Sequence, residues 1–162
     1  MRLRTYSSGL LLVLLLQVAA GASGQTFRGR QTASLVPPLP VKIEPGREVV
    51  VPIQIRIRTG YHINSDKPAE QYLIPTRLTW NTPVLKLKDV TYPKAETVSY
   101  AFSEEPLSVF SDTITIKSAF EVPPGVPASL TELAGQLRYQ ACNDKACLPP
   151  ATLDITVPVA RP

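Results

Sequence analysis

Between Val49 and Arg58 the chain reads "VVVPIQIRIR", with Val51, Ile53, Ile55 and Ile57 on one side and Gln54, Arg56 and Arg58 on the other. A period of two is the pattern of a β-strand with one buried and one wet face, and a helix does not sort residues this way. The same rule predicts strands over Thr76 to Trp80, Val84 to Val90, Asp112 to Ser118, Gln136 to Cys142 and Thr152 to Val159. Turn clusters such as "EPGRE", "WNTP" and "VPPGVP" separate them. Most of the 17 prolines fall in these gaps, where a missing N–H removes no ladder hydrogen bond. No long helical period occurs, and "SLTELAG" is the one stretch that suits a helical turn.

Short, regularly spaced strands with one wet face pack best as two facing sheets. The expected fold class is therefore all-β, an immunoglobulin-like two-sheet antiparallel sandwich. Trp80 and Phe120, at strand ends, read as pieces of its core. Arg56, Arg58, Lys86 and Lys88 alternate with apolar residues and read as the wet face of strands. Ahead of the strands, Arg2 and Arg4 precede the apolar run "GLLLVLLLQVAA", and the small residues of "GASGQ" follow. That order reads as a secretory signal over residues 1–24, with cleavage expected after Ala22 or Gly24, and the run is short for a membrane span. Residues 25–40, ending in "SLVPPLP", read as a flexible proline-rich lead-in, and the domain is expected over residues 41–162. Without Arg2 and Arg4 the balance is 15 basic against 13 acidic residues, too even to imply nucleic acid. The expected product is a periplasmic or secreted domain with no membrane insertion after signal cleavage.

Both cysteines, Cys142 and Cys147, stand in "RYQACNDKACLPPATLDITVPV". In the preceding segment Leu137, Tyr139 and Ala141 share one face, and Arg138, Gln140 and Cys142 the other. Leu153, Ile155, Val157 and Val159 form a matching apolar face after it. The two segments read as paired strands with "CNDKACLPP" as an exposed tip, where Asn143 and Asp144 favour a turn and Pro149 and Pro150 interrupt pairing. Neighbouring antiparallel strands hold Cα atoms roughly 4.5–5.5 Å apart, within reach of a disulfide. A closed zinc site needs four ligands, and two cysteines with the single histidine, His62, do not supply them. His62, in "GYHINS", reads as a structural or surface residue. A blue-copper site fails for want of a second histidine and a methionine, since Met1 is the only one. No "GxSxG" occurs, and a helix-borne CxxC centre is absent. The residues call for no cofactor. A structural staple and a working redox pair both fit the spacing.

"YQACNDKACLPP" resembles the cysteine hairpin of the N-terminal periplasmic domain of the thiol:disulfide interchange protein DsbD. "GYHINSDKP" with "YLIPTRLTW", then "VTYPKAE", then "SVFSDTITI" are similar to successive segments of that family in the same order, so the likeness runs from about Val41 to Val159. The resemblance implies an immunoglobulin-like sandwich that takes electrons from a thioredoxin-like domain, or a membrane reductant protein, and hands them to oxidised periplasmic thiol proteins. It implies that Cys142 and Cys147 are the redox pair, with Cys147 forming mixed disulfides with partners. It also implies an aromatic cap loop within "VSYAFSEEPLSVF", with Phe102 as the first choice for the shielding ring and Tyr100 the second. The plainer reading packs both rings in the sandwich. Glu104 and Glu105 could raise a nearby thiol pKa by like-charge repulsion, although a solvated turn explains them as well. Well-known family members continue into a membrane conduit and a thioredoxin-like domain. Neither is seen in this sequence, so the electron source is expected to be another protein unless the chain is a fragment. The alternative function is a non-catalytic binding or assembly module with a structural hairpin disulfide.

Overall fold

The computed structural model describes residues 31–160. The expected signal segment lies outside the described residues. Twelve strands make up the regular structure, and there is no helix among the described residues. The longest alternating runs become the longest strands. They are β3 (Glu48–Ile57), β9 (Thr113–Glu121), β10 (Glu132–Tyr139) and β12 (Ala151–Ala160). Their apolar positions face inward: Val51, Ile53, Ile55, Ile116, Phe120, Leu133, Leu137, Ile155 and Val157 are all essentially inaccessible to solvent. Arg56, Arg58, Lys86 and Lys88 lie on the solvent side.

Hydrogen bonding divides the strands into three four-stranded sheets. The first runs β1 (Ala33–Leu35), β3, β9, β6 (Lys86–Thr91). The second runs β2 (Val41–Lys42), β12, β10, β5 (Arg77–Asn81). The inward faces of these two meet in a single apolar cluster, which is the sandwich expected from the alternation. Trp80 Nε1 donates to Ser118 Oγ at 2.8 Å, joining the second sheet to the first, and the Trp80 ring meets Phe120 edge to face. Gly135 makes room for that indole, because a Cβ there would lie 2.9 Å from the Trp80 ring and 2.7 Å from the Thr79 carbonyl oxygen. The third sheet is smaller and runs β11 (Ala141–Cys142), β4 (His62–Asn64), β8 (Leu107–Phe110), β7 (Glu96–Val98).

Four local features differ from the sequence reading. Residues 33–35, inside the stretch read as a flexible lead-in, pair with β3, and Thr32 and Ala33 are buried. Three residues are too few to show alternation, and β3 recruits them by offering an open edge. β2 runs parallel to β12, so the sheets are not wholly antiparallel. "SLTELAG" forms no helical turn: a tight turn bonds Leu130 N to Pro127 O, and Glu132 to Gly135 already belong to β10. The strand predicted over Gln136 to Cys142 breaks at Gln140. β10 stays with β12 and β5, while β11 leaves to pair with β4.

Candidate functional site

The break at Gln140 builds the site. β10 and β12 form the expected hairpin, with Tyr139 opposite Ala151. The chain between them crosses to the third sheet and back, so the cysteines sit at the junction of two sheets. Cys142 bonds Cys147, with the Cα atoms 3.9 Å apart, closer than an ordinary cross-strand pair. The four intervening residues close as a turn around Asn143. Its Oδ1 accepts from Lys145 N and Ala146 N, both at 2.9 Å, and its own N–H donates to Ala146 O at 3.0 Å. This is the local capping that makes asparagine a turn former.

The two sulfurs differ in exposure. Cys142 is completely buried, whereas Cys147 is partly exposed on the outer arm of the hairpin, followed by exposed Leu148, Pro149 and Pro150. Simple alternation placed Cys142 on the wet face with Arg138 and Gln140. The alternation itself survives the change of sheet, since Ala141 stays in the core cluster with Leu137 and Tyr139, but Cys142, on the other face, is buried as well.

Gln140 holds the arrangement together. Its Oε1 accepts from Asn64 Nδ2 and from Ile74 N, each at 3.1 Å, and its Nε2 donates to Leu148 O at 3.2 Å. One side chain therefore ties β4, the segment leading into β5 and the outer arm of the hairpin. On the inner arm, Leu148 N donates to Ala141 O at 2.8 Å. The sequence reading set Gln140 on the wet face of its strand, before Cys142 in the motif that carries the family likeness, and gave neither it nor Asn64 a bonding role. The one available signal was the polar residue two places before Cys142, where the strand changes partners.

His62 lies directly opposite Cys142 in the β11–β4 register. It is 3% exposed, and burial lowers its pKa from the ordinary 6.5 by penalising the imidazolium. Tyr100 stacks on the imidazole with centroids 4.2 Å apart, and Phe102 stacks on Tyr100 at 5.6 Å. Both rings come from the loop between β7 and β8. Tyr100 also packs against the small cluster of Leu73, Leu107 and Val109, whereas Phe102 is 36% exposed at the outer end of the stack. Burial and the Glu96 carboxylate both raise the Tyr100 phenol pKa. Glu104 and Glu105 stand exposed on the same loop. Among the described residues no group of three or more His, Cys, Asp or Glu side chains gathers as a metal site.

Comparison with known proteins places these features. The family model for thiol:disulfide interchange protein DsbD, N-terminal, matches residues 32–158. The Neisseria meningitidis DsbD N-terminal domain in its reduced form is similar at 17% identity and a TM-score of 0.44, over 67% of this chain and 75% of that one. The N-terminal periplasmic domain of ScsB from Proteus mirabilis is similar at 12% identity and a TM-score of 0.51, over 78% of this chain and 44% of that one. No curated protein sequence matches the chain.

Proposed function

The chain belongs to the family of the N-terminal domain of thiol:disulfide interchange protein DsbD, and from that footing we propose that it relays reducing equivalents through a reversible Cys142–Cys147 disulfide in the periplasm or outside the cell. The donor is a thioredoxin-like domain or a membrane reductant protein, and the acceptors are oxidised periplasmic thiol proteins. The observation that carries this reading is the unequal exposure of the two sulfurs, with Cys142 sealed and Cys147 partly open on an arm that ends in exposed Leu148. Exchange needs one sulfur that a partner can reach and a second held beside it to resolve the mixed disulfide.

In the loading half-reaction a donor thiolate attacks Cys147 Sγ. The donor–Cys147 bond forms, the Cys142–Cys147 bond breaks, and Cys142 leaves with the electron pair. The donor's second thiol then releases Cys147, leaving this domain reduced by two electrons and the donor oxidised to its disulfide. In the unloading half-reaction Cys147 attacks an acceptor disulfide, and Cys142 displaces the acceptor by re-forming the intramolecular bond. Phe102 and Tyr100 serve as the shielding rings between turnovers, a role supported by their stack over His62 beside Cys142.

Cys142→Ser tests the relay, because it leaves Cys147 able to join a partner and unable to release it. Mixed disulfides with thioredoxin-like proteins should accumulate on this variant. Capture no greater than that of the Cys142→Ser, Cys147→Ser double variant returns the pair to a structural staple in a binding module.

A further inference from the structure

His62 is the only histidine in the chain, and the relay as written above gives it nothing to do. Its position is nonetheless specific. The side chain is 97% buried, being 3% exposed, and its Nε2 has no hydrogen-bond partner. Nearby, Ser65 Oγ bonds Ser108 Oγ at 2.8 Å and Asn64 Nδ2 is shared between Ile74 O and Gln140 Oε1, while Asn64 Oδ1 is, like His62 Nε2, buried without a partner. A buried ring nitrogen left open costs free energy and calls for an explanation. His62 and Cys142 are direct partners in an antiparallel ladder, so their side chains leave the same face with Cβ atoms about 4.5–5.5 Å apart. Tyr100 closes one face of the ring.

The resolving step poses a chemical problem at this spot. The nucleophile is a thiolate, and a thiol as deeply buried as Cys142 is hard to ionise, because burial disfavours the charged form. A neutral imidazole beside it solves that problem. We infer that His62 is the general base of the resolving step, its imidazole accepting the Cys142 proton as that sulfur attacks Cys147. The inference rests on the interchange reading above.

The balance is as follows. The Cys142 S–H proton moves to His62, which becomes imidazolium, and Cys142 Sγ bonds Cys147 Sγ. The partner–Cys147 bond breaks, and the partner leaves as a thiolate with the electron pair. The imidazolium proton then passes to the departing thiolate or to water. Reversed, the same steps protonate Cys142 as it leaves during loading. Burial suits this role, because it keeps the ring in its unprotonated, basic form at neutral pH. Cys142 faces the ring from β11, with Cys147 bonded to it, and Tyr100 faces it from the β7–β8 loop, while Glu96 acts on Tyr100 from β7. β8, the other neighbour of β4, offers no ionisable side chain.

The test uses the reduced protein and 5,5′-dithiobis(2-nitrobenzoate) in stopped flow. The first thionitrobenzoate released reports attack by Cys147, and the second reports resolution by Cys142. His62→Phe keeps an aromatic ring for Tyr100 to stack on and removes the base. It should slow the second release by about 100-fold at pH 7, the scale of a general base, and leave the first within about twofold. The wild-type second release should stay level down to a pH below 6.5, while that of the variant falls about tenfold per pH unit below the thiol pKa. His62→Gln, polar but not basic, should behave like His62→Phe. A wild-type rate and profile in both variants overturns the inference, as does equal slowing of both releases, which marks a packing role. A wild-type protein with no second release sinks the interchange reading itself. On unaltered protein, the lone imidazole's ¹⁵N NMR titration should change on reduction and follow Cys142 ionisation, and identical titrations in both redox states overturn the base assignment.

Discussion

At the scale of single residues, His62 makes two demands on the protein that can be measured separately from its chemistry. Burial lowers its folded-state pKa below the ordinary 6.5, so below that pH the unfolded chain binds a proton that the folded chain refuses. Stability should therefore fall as pH drops below 6.5, and it should level off once the pH passes below the folded-state pKa. Denaturant titrations between pH 7 and pH 5 check this, and His62→Phe should flatten that part of the curve. The stacked rings above it make the second demand. A stacked aromatic contact is worth about 0.5–1.5 kcal/mol, so losing one raises the open population by about two- to tenfold. Tyr100→Ala should speed alkylation of the reduced thiols by that factor. Phe102→Ala should have a smaller effect, since Phe102 touches Tyr100 and Tyr100 touches His62. Equal rates in wild type and both variants would remove the stack from any shielding role. Neither the His62 pairing nor the order of the rings could be read from "GYHINS" and "VSYAFSEEP", because both depend on which strands become neighbours across 38 residues and more of chain.

At the scale of elements, the informative event is the break at Gln140. A strand drawn through Gln136 to Cys142 by alternation alone keeps Cys142 on the wet face. The real chain changes sheets after Tyr139, keeps Ala141 in the core and buries Cys142 on the opposite face, against β4. Gln140 can hold this crossing because its amide accepts twice and donates once among three separate segments. Gln140→Ala leaves the Ile74 N–H without its acceptor and should destabilise the protein by about 1–3 kcal/mol. Amide hydrogen exchange should quicken at Ile74 and Leu148 first. Uniform loss of protection across β3 and β9 instead would show that Gln140 does not act locally. The proline pair after Leu148 serves the same element. Exposed Pro149 and Pro150 carry the chain from the third sheet back to β12 with no N–H that needs a partner.

For the molecule as a whole, the sandwich does not depend on the cysteine bridge for its existence. The disulfide closes a short loop at one end, worth about 2 kcal/mol in the chain-entropy model, whereas the inward faces of two four-stranded sheets supply the core. Reduction should lower unfolding free energy by about 2 kcal/mol and leave the far-ultraviolet circular dichroism unchanged. Global unfolding on reduction would mean that the bridge is a structural necessity and would count against reversible exchange. The sequence by itself determined the all-β class, the inward sets on β3, β9, β10 and β12, and the hairpin that carries the cysteines. Each of these follows from a period of two, which is a local property of consecutive side chains. Tertiary structure alone decided the recruitment of residues 33–35 to β3, the parallel pairing of β2 with β12 and the third sheet. It alone set the burial of Cys142 against His62. These features depend on which open strand edge captures which distant segment, and the free energy of that choice lies in contacts between residues far apart in the chain.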